Sequence, residues 1–460
     1  MKNRTHMDRV LDLAAAVTAR RASRRGYASL KKASASHFVP NPSDPRHADA
    51  KIDVRELRNI LSIDPVARRC VAEPGVTFSE LVKATLPHGL VPRLVPELET
   101  ITIGGAVAGC AVESTAYKWG GFHDGCVEYE IVTGEGDVVR CSRDRDAELF
   151  EMMHGSYGTL GILTELTFEL VPAKPFVKME YATFDSFPAL HAAIDVATRV
   201  STIDFVDAIA HARDRFVLCT GRYADAAPWT SSYRSDRIYW ESTRELAEDW
   251  LSTYDYFFRF DTDCHWTAQT LPGMKRAWSR KLLGRFMLGS ANLLAWSERL
   301  RPLFKLQKHP PVVTDLFIPE GESDGFHRWY DRAVGHYPLW IVPYRMPRPY
   351  PWLRAPRPGL YFDFAIYGLP NERHDVDYSL LLEQKTFAAG GIKTLIAQNH
   401  YDERTFFSIH DRARYERLKR RMDPDNLFRT VYEKMVAPHV RGARYDAAPC
   451  PPSSIPSSAR

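Results

Sequence analysis

Long apolar runs are missing from this 460-residue chain. No stretch reaches the roughly 18 apolar residues that a spanning helix needs, and the N-terminus has no apolar core of signal-peptide length. A cytoplasmic protein, at most peripheral to the inner face of a membrane, is therefore expected. Charge of one sign is scarce too. With 61 Lys and Arg against 57 Asp and Glu the net charge is +4, too small to argue for a nucleic-acid partner. Cysteine is present but unorganised. The seven, at positions 70, 110, 126, 141, 219, 264 and 450, form no CxxC pair and no His/Cys spacing suited to zinc. Reduced thiols and no metal site are expected. The common nucleotide motifs are also absent: no GxGxxG follows a strand, and no GxxxxGK(S/T) occurs. Gly155-Ser156-Tyr157-Gly158 lacks the G-x-S-x-G register, so a serine nucleophile is not expected there. No fixed-period repeat is visible.

What remains is an ordinary globular composition, 45% hydrophobic and 26% charged, long enough for two or three domains. Met7 to Val17 places Val10, Leu11, Leu13, Ala14 and Val17 on roughly one helical face. A basic stretch follows (Arg20, Arg21, Arg24, Arg25, Lys31, Lys32), either a solvated helix end or a contact with phosphate. Strands are read at 52–61 and 67–72, a helix at 79–86, and a hairpin at 127–132 and 138–141 around Gly134-Glu135-Gly136-Asp137. A short helix is read at 146–153 and a half-buried strand at 161–170. After Pro172-Ala173-Lys174-Pro175 the composition shifts. Strands at 205–209, 216–220, 312–318, 340–342 and 360–366 then mix with helices at 187–196, 326–334 and 404–421. The fold class is α+β, in three parts: 1–175, 176–440, and a Pro/Ser/Ala-rich tail from 441 to 460 expected to be disordered.

The most informative stretch runs from Leu94 to Trp119. The β-branched run Thr100 to Ile103 ends in Gly104-Gly105, and small residues follow up to Gly109, with Glu113-Ser114 beyond. Glycine lets backbone N–H groups approach a bulky anion, and a diphosphate is the usual guest of such a wall. A glycine-cornered structural turn is the rival reading. Two further segments keep it company: Ala72-Glu73-Pro74-Gly75-Val76-Thr77 upstream, and Gly155-Ser156-Tyr157-Gly158-Thr159-Leu160-Gly161-Ile162 downstream.

In this order the three segments resemble the FAD-binding (PCMH-type) domain of vanillyl-alcohol-oxidase flavoenzymes, and within them the Δ24-sterol reductases. The similarity continues through Thr314-Asp315-Leu316-Phe317, Tyr337-Pro338-Leu339-Trp340 and Leu360-Tyr361-Phe362-Asp363. The resemblance implies an FAD-binding domain over 1–175 and an antiparallel-sheet-and-helix substrate domain over 176–440 whose C-terminal segment returns to the flavin. It also implies that Thr102, Gly104, Gly105, Gly109, Glu113, Ser114, Gly155, Ser156, Gly158, Thr159, Gly161 and Ile162 line the cofactor. No opening strand or Gly-rich loop is evident at Ser29 to Ser34, and the surroundings of His37 do not suit a covalent link, so noncovalent FAD is expected.

Implied next is an oxidoreductase that saturates a carbon–carbon double bond in a lipid, with NADPH as electron donor. The lipid is a sterol or other isoprenoid side chain, or a methylene-branched fatty acyl chain. An isolated alkene needs an acid beside the carbon that does not receive hydride. His400, Tyr401 and Glu403 are the candidates; capping of the following helix is their alternative role. The basic, aromatic segment 271–308 suits either docking on an anionic membrane or ordinary core helices. The rival functions are an alcohol or hydroxy-acid oxidase of the same fold and a non-catalytic flavin-binding scaffold.

Overall fold

The computed structural model describes residues 4–23, 26–33, 45–234, 237–266, 276, 278–282, 288–292, 311–348, 359–371 and 376–439. The expectations for Arg24, Arg25, His37, most of 271–308 and the tail from 441 lie outside those residues.

The opening helix, His6–Ala22, starts on a capping box between Thr5 and Asp8. Of its expected face, Val10, Leu13 and Val17 pack on Val132, Ile162, Leu427 and Phe428 with Ala14 at the edge, whereas Leu11 points to solvent. Arg21, part of the basic stretch, is ion-paired to Asp425 at 2.5 Å and Glu135 at 3.0 Å. A short opening strand does exist. Ala28–Lys31 pairs in parallel with Ala50–Asp53, and only Ala28 along it is buried, so it carries no alternation for the sequence to display.

Two antiparallel sheets follow. In the first, the strands run Ile60–Asp64, Arg69–Ala72, Ile162–Pro172, Cys126–Val132, Val138–Ser142, with Leu90–Pro92 on the far end of the long central strand. The expected hairpin is its last pair. The second sheet has eight strands, in the order Glu248–Ser252, Phe176–Phe184, Arg215–Ala224, Phe205–Ala212, Leu339–Met346, Gly359–Leu369, Val312–Pro319, Ile392–Lys393. The chain passes from one sheet to the other between Pro172 and Phe176.

Period-2 alternation decides what each face of the large sheet meets. Val206, Ala208, Leu316, Ile341, Phe362 and Phe364 pack under the helices Phe187–Arg199, Glu320–Ala333 and Tyr378–Ala388. Phe205, Ile209, Phe317, Trp340, Tyr344 and Tyr367 join the core of the first sheet instead. The same register puts Asp207, Asp315 and Asp363 on this inner face. One expected helix is two: Glu403–Ile409 and Arg412–Met422 are separated at His410, and the side chain of Asp411 caps the second by accepting from Arg414 N.

Candidate functional site

The β-branched run does not continue as extended chain. Thr102, at φ −96° and ψ 152°, is the N-cap of a helix, Ile103–Gly109, and its Oγ1 accepts from Gly105 N at 3.2 Å. Cys110 ends the helix in the left-handed region, at φ 56°. The second glycine segment docks on this end, Gly155 N donating to Val107 O at 3.1 Å and Tyr157 N to Ala108 O at 3.2 Å. Tyr157 is itself left-handed, at φ 52°. Two non-glycine residues in that region within one contact mark a strained backbone held by its surroundings, a frequent property of binding sites.

The glycines divide by what a side chain there would meet. A Cβ on Gly104 would lie 2.5 Å from Pro74 Cβ, and one on Gly161 would lie 2.7 Å from Ile131 Cγ2. Those two are glycines because the protein packs against them. Gly109 has nothing within 4 Å, and Gly158 meets only Lys434 Nζ at 3.9 Å. Space for a ligand is on the side of Gly109 and Gly158. A Cβ on Gly105 would approach Thr102 Oγ1 at 3.2 Å, so that glycine serves the cap.

Between them Ser156 is fully buried, and its Oγ has no hydrogen-bond partner among the described residues. Lys434 Nζ donates to Tyr157 O at 2.5 Å. Burial pushes this ammonium down to about 7, helped by Lys32, Arg46 and Lys419 and opposed by Asp49. An orphaned hydroxyl, open glycines and a crowded lysine are what a diphosphate would satisfy, so the residues present fit a flavin dinucleotide. Lys434 is legible as a site residue only in three dimensions, for it lies 276 positions from Gly158.

The other expected cofactor residues are committed within the protein by their side chains. Thr159 donates from Oγ1 to Ser156 O at 2.8 Å and accepts from Tyr415 Oη at 3.0 Å, while Lys419 Nζ donates to Thr159 O at 2.9 Å. Ile162 packs on the opening helix. Glu113 accepts from both Ser114 N and Ser114 Oγ, and Ser114 Oγ lies 2.9 Å from Tyr256 Oη. Glu113 Oε1 also meets Arg259 at 2.9 Å, and Arg259 meets Asp207 Oδ2 at 3.3 Å, which in turn accepts from Trp340 Nε1 at 2.8 Å. This buried knot ties the loop after the glycine helix to the large sheet.

Beside it lie acids that the sequence reading missed. Glu97 is half-buried, and burial pushes its carboxyl up to about 8, with Glu113 and Asp315 adding to the rise. Asp315 is pushed up to about 6 by burial although Tyr367 Oη donates to it at 2.9 Å. Asp363 is 3% exposed, its Oδ1 has no partner among the described residues, and burial followed by Asp315 holds it well above the carboxylate range. Each aspartate sits singly in an apolar strand, so only the sheet register brings them together.

Of the three acid candidates, Glu403 opens the helix Glu403–Ile409 behind the cap Asp402, with its side chain 55% exposed and 3.2 Å from Arg412. His400 is buried, and its main-chain N–H donates to both oxygens of Glu383 at 3.0 Å. Tyr401 is 2% exposed, with its ring 6.5 Å from that of Phe387; burial pushes its phenol well above the usual range. Among the described residues no group of His, Cys, Asp and Glu could hold a metal ion, and no helix is long and apolar enough to cross a membrane.

Residues 12–142 match the FAD binding domain family. The Δ24-sterol reductase of Homo sapiens is 26% identical over 400 residues, covering 82% of this chain and 76% of its own length. That of Pisum sativum is 25% identical over 442 residues, covering 84% and 76%. Cytokinin dehydrogenase 7 of Oryza sativa subsp. japonica is 33% identical over a shorter 113 residues, 24% of this chain and 22% of its own. The chain therefore carries a PCMH-type FAD-binding domain and is similar, over most of its length, to the Δ24-sterol reductases.

Proposed function

We propose that this FAD-dependent oxidoreductase reduces an isolated carbon–carbon double bond in a lipid, with NADPH as the electron donor. The substrate is a sterol or isoprenoid side chain, or a methylene-branched fatty acyl chain. The observation that carries the proposal is the cluster of acids on the inner face, Glu97, Asp315 and Asp363, whose proton affinity burial raises, Glu97 to about 8, beside the glycine segments that fit the cofactor. Bound FAD supplies hydride. The protein must hold the cofactor, bury the hydrocarbon and deliver a proton.

Gly155, Ser156, Gly158 and Lys434 are the proposed holders of the diphosphate. For the lipid, the proposal sets the hydrocarbon against the apolar inner face of the large sheet, whose Phe317, Trp340, Tyr344 and Tyr361 otherwise pack in the core shared with the first sheet. Hiding about 300 Å² of hydrocarbon there contributes roughly 7 kcal/mol at about 25 cal/mol/Å². Exposed Trp278 and Leu282, 61% and 64% accessible, support a peripheral contact with an anionic membrane through which such a substrate arrives.

For the proton, acid strength decides between candidates. A phenol pushed up by burial, as at Tyr401, parts with its proton less readily than a carboxyl at about 8, and an efficient general acid titrates near the working pH. We assign the step to Glu97. An alcohol oxidase would need an ionised base here instead, which the same burial opposes.

The test is reoxidation of the reduced protein by lipid alkenes without oxygen. Wild type should be reoxidised. Glu97→Gln should be reduced normally by NADPH yet reoxidised about 10²–10⁴-fold more slowly, and Tyr401→Phe should lose far less. The reading is lost if no lipid alkene accepts the electrons while an alcohol reduces the flavin.

A further inference from the structure

A cavity of about 310 Å³ opens where the chain after the glycine helix meets the end of the strand Leu339–Met346. Its lining is unbalanced in charge. Arg93, Lys118, Arg143, Arg345 and Arg348 reach it, against a single carboxylate, Asp124. That carboxylate is set into the floor of the cavity, where Arg348 and Arg143 act on it. Asp124 is 5% exposed, accepts from Gly121 N at 2.9 Å, and is pushed up by burial. Three of the cations do have acids behind the wall: Arg93 meets Glu169 at 2.5 Å, Lys118 meets Asp204 at 3.5 Å, and Arg348 meets Glu151 at 4.0 Å. Arg143 donates to the main-chain Asp124 O at 2.8 Å, and Arg345 is exposed.

The cavity also has an aromatic wall. Trp119 lines it, with Arg93 at 5.2 Å and Lys118 at 5.7 Å from its ring centroid. Gly120, at φ 77°, has no room for a side chain, since a Cβ there would lie 2.3 Å from Asp124 Oδ2. Behind this floor stands the flavin region: the charge of Asp124 bears on Cys110, the C-cap of the glycine helix, and on Tyr344 of the inner face. Arginine forks next to an indole suit a ligand that combines phosphate groups with a flat ring, and the volume is at the lower end of the roughly 300–1,000 Å³ that ligand sites occupy.

We propose that this cavity binds the phosphate-bearing half of the nicotinamide nucleotide that reduces the flavin, an assignment that rests on the reductase reading above. It answers how such a nucleotide can dock on a chain without a GxGxxG strand–helix turn. Side-chain cations do here what glycine amides do there. A phospholipid headgroup shares the phosphate chemistry but brings no flat ring.

The experiment is titration of the purified flavoprotein with NADP⁺, with adenosine 2′,5′-bisphosphate, and with phosphatidylglycerol vesicles, at low and high salt. Wild type should bind both nucleotides, more weakly as salt rises. Arg345→Ala combined with Arg348→Ala should weaken both about tenfold or more, and the corresponding pair of lysine substitutions should retain part of the affinity. An unchanged flavin spectrum marks a folded protein. Nucleotide affinity that is unchanged in the alanine pair overturns the assignment. So does a wild type that ignores nucleotides, whether or not it captures vesicles. If the nucleotides bind as expected but no lipid alkene reoxidises the NADPH-reduced protein, the reductase reading fails and this site stands.

Discussion

Arg259→Met should cost the folded protein about 3–5 kcal/mol, read as a lower denaturant midpoint, because it leaves two buried carboxylates without their counter-charge. The guanidinium and both partners, Glu113 and Asp207, are essentially sealed from solvent. Burial already pushes both carboxyls up, and Arg259 is the largest influence holding them down. Methionine keeps much of the packing against Tyr256 and Phe260, whose rings lie 4.2 and 4.7 Å from the guanidinium carbon. The sign of the pH dependence separates charge from packing. A carboxyl whose folded pKa is raised stabilises the fold at low pH and loses that contribution as pH rises through the raised value. The penalty of Arg259→Met should therefore shrink on acidification and grow towards neutral pH. Adding Glu113→Gln and Asp207→Asn should restore part of the lost stability. A penalty below about 1 kcal/mol, or one indifferent to pH, would mean that the knot holds nothing together. Because Glu113 lies in the loop after the glycine helix, the single variant should also lose flavin on gel filtration before it unfolds.

The same knot shows which parts of this molecule a reader of the sequence can reach. The long strand Ile162–Pro172 declares itself because one face is wet and alternation follows, and the hairpin at Cys126–Ser142 declares itself through two apolar strands around the Gly134-Glu135-Gly136-Asp137 turn. The glycine segments declare themselves because few other residues tolerate the contacts at 104 or 161. What glycine spelling does not reveal is purpose. Gly104 and Gly161 serve packing, and Gly109 and Gly158 leave space, yet all four look alike in one dimension. The strand Ala28–Lys31 is illegible for the opposite reason, having a single buried residue. The break at His410 is hidden inside an unbroken helical pattern, and only the cap on Asp411 explains it. Asp207, Asp315 and Asp363 are isolated letters in apolar strands. Their meaning comes from a register that puts Asp315 opposite Ala365 and Asp363 opposite Phe317, so that both face Glu97 rather than the outer helices. Side-chain commitments are equally invisible: that Thr102 Oγ1 caps the glycine helix and that Glu113 pairs with Arg259 cannot be read from the letters.

Lys434→Met should weaken FAD binding by roughly 10- to 100-fold, the worth of about 1.5–3 kcal/mol for a hydrogen bond to a charged group. The larger consequence is in protons. Without an anion, burial and the surrounding cations Lys32, Arg46 and Lys419 hold the Lys434 ammonium at about 7, against an ordinary 10.5. A lysine with a lowered folded pKa binds fewer protons than the unfolded chain between those values, so the apoprotein gains stability as pH rises through that window. A diphosphate beside Gly158 would reverse this by favouring the charged form. FAD binding should then take up close to one proton at about pH 8–9, and affinity should fall as pH rises from about 7 towards about 10, by at most about tenfold per unit. Calorimetric titration in two buffers of different ionisation enthalpy measures the uptake directly. Lys434→Met should abolish it, and Lys434→Arg should retain affinity while flattening the pH dependence, since arginine stays charged throughout. Proton release on binding, or an affinity independent of pH that survives the methionine substitution, would place the diphosphate away from Lys434. The lysine would then be a structural clasp on Tyr157 O, and the charge for the cofactor would have to come from another part of the chain.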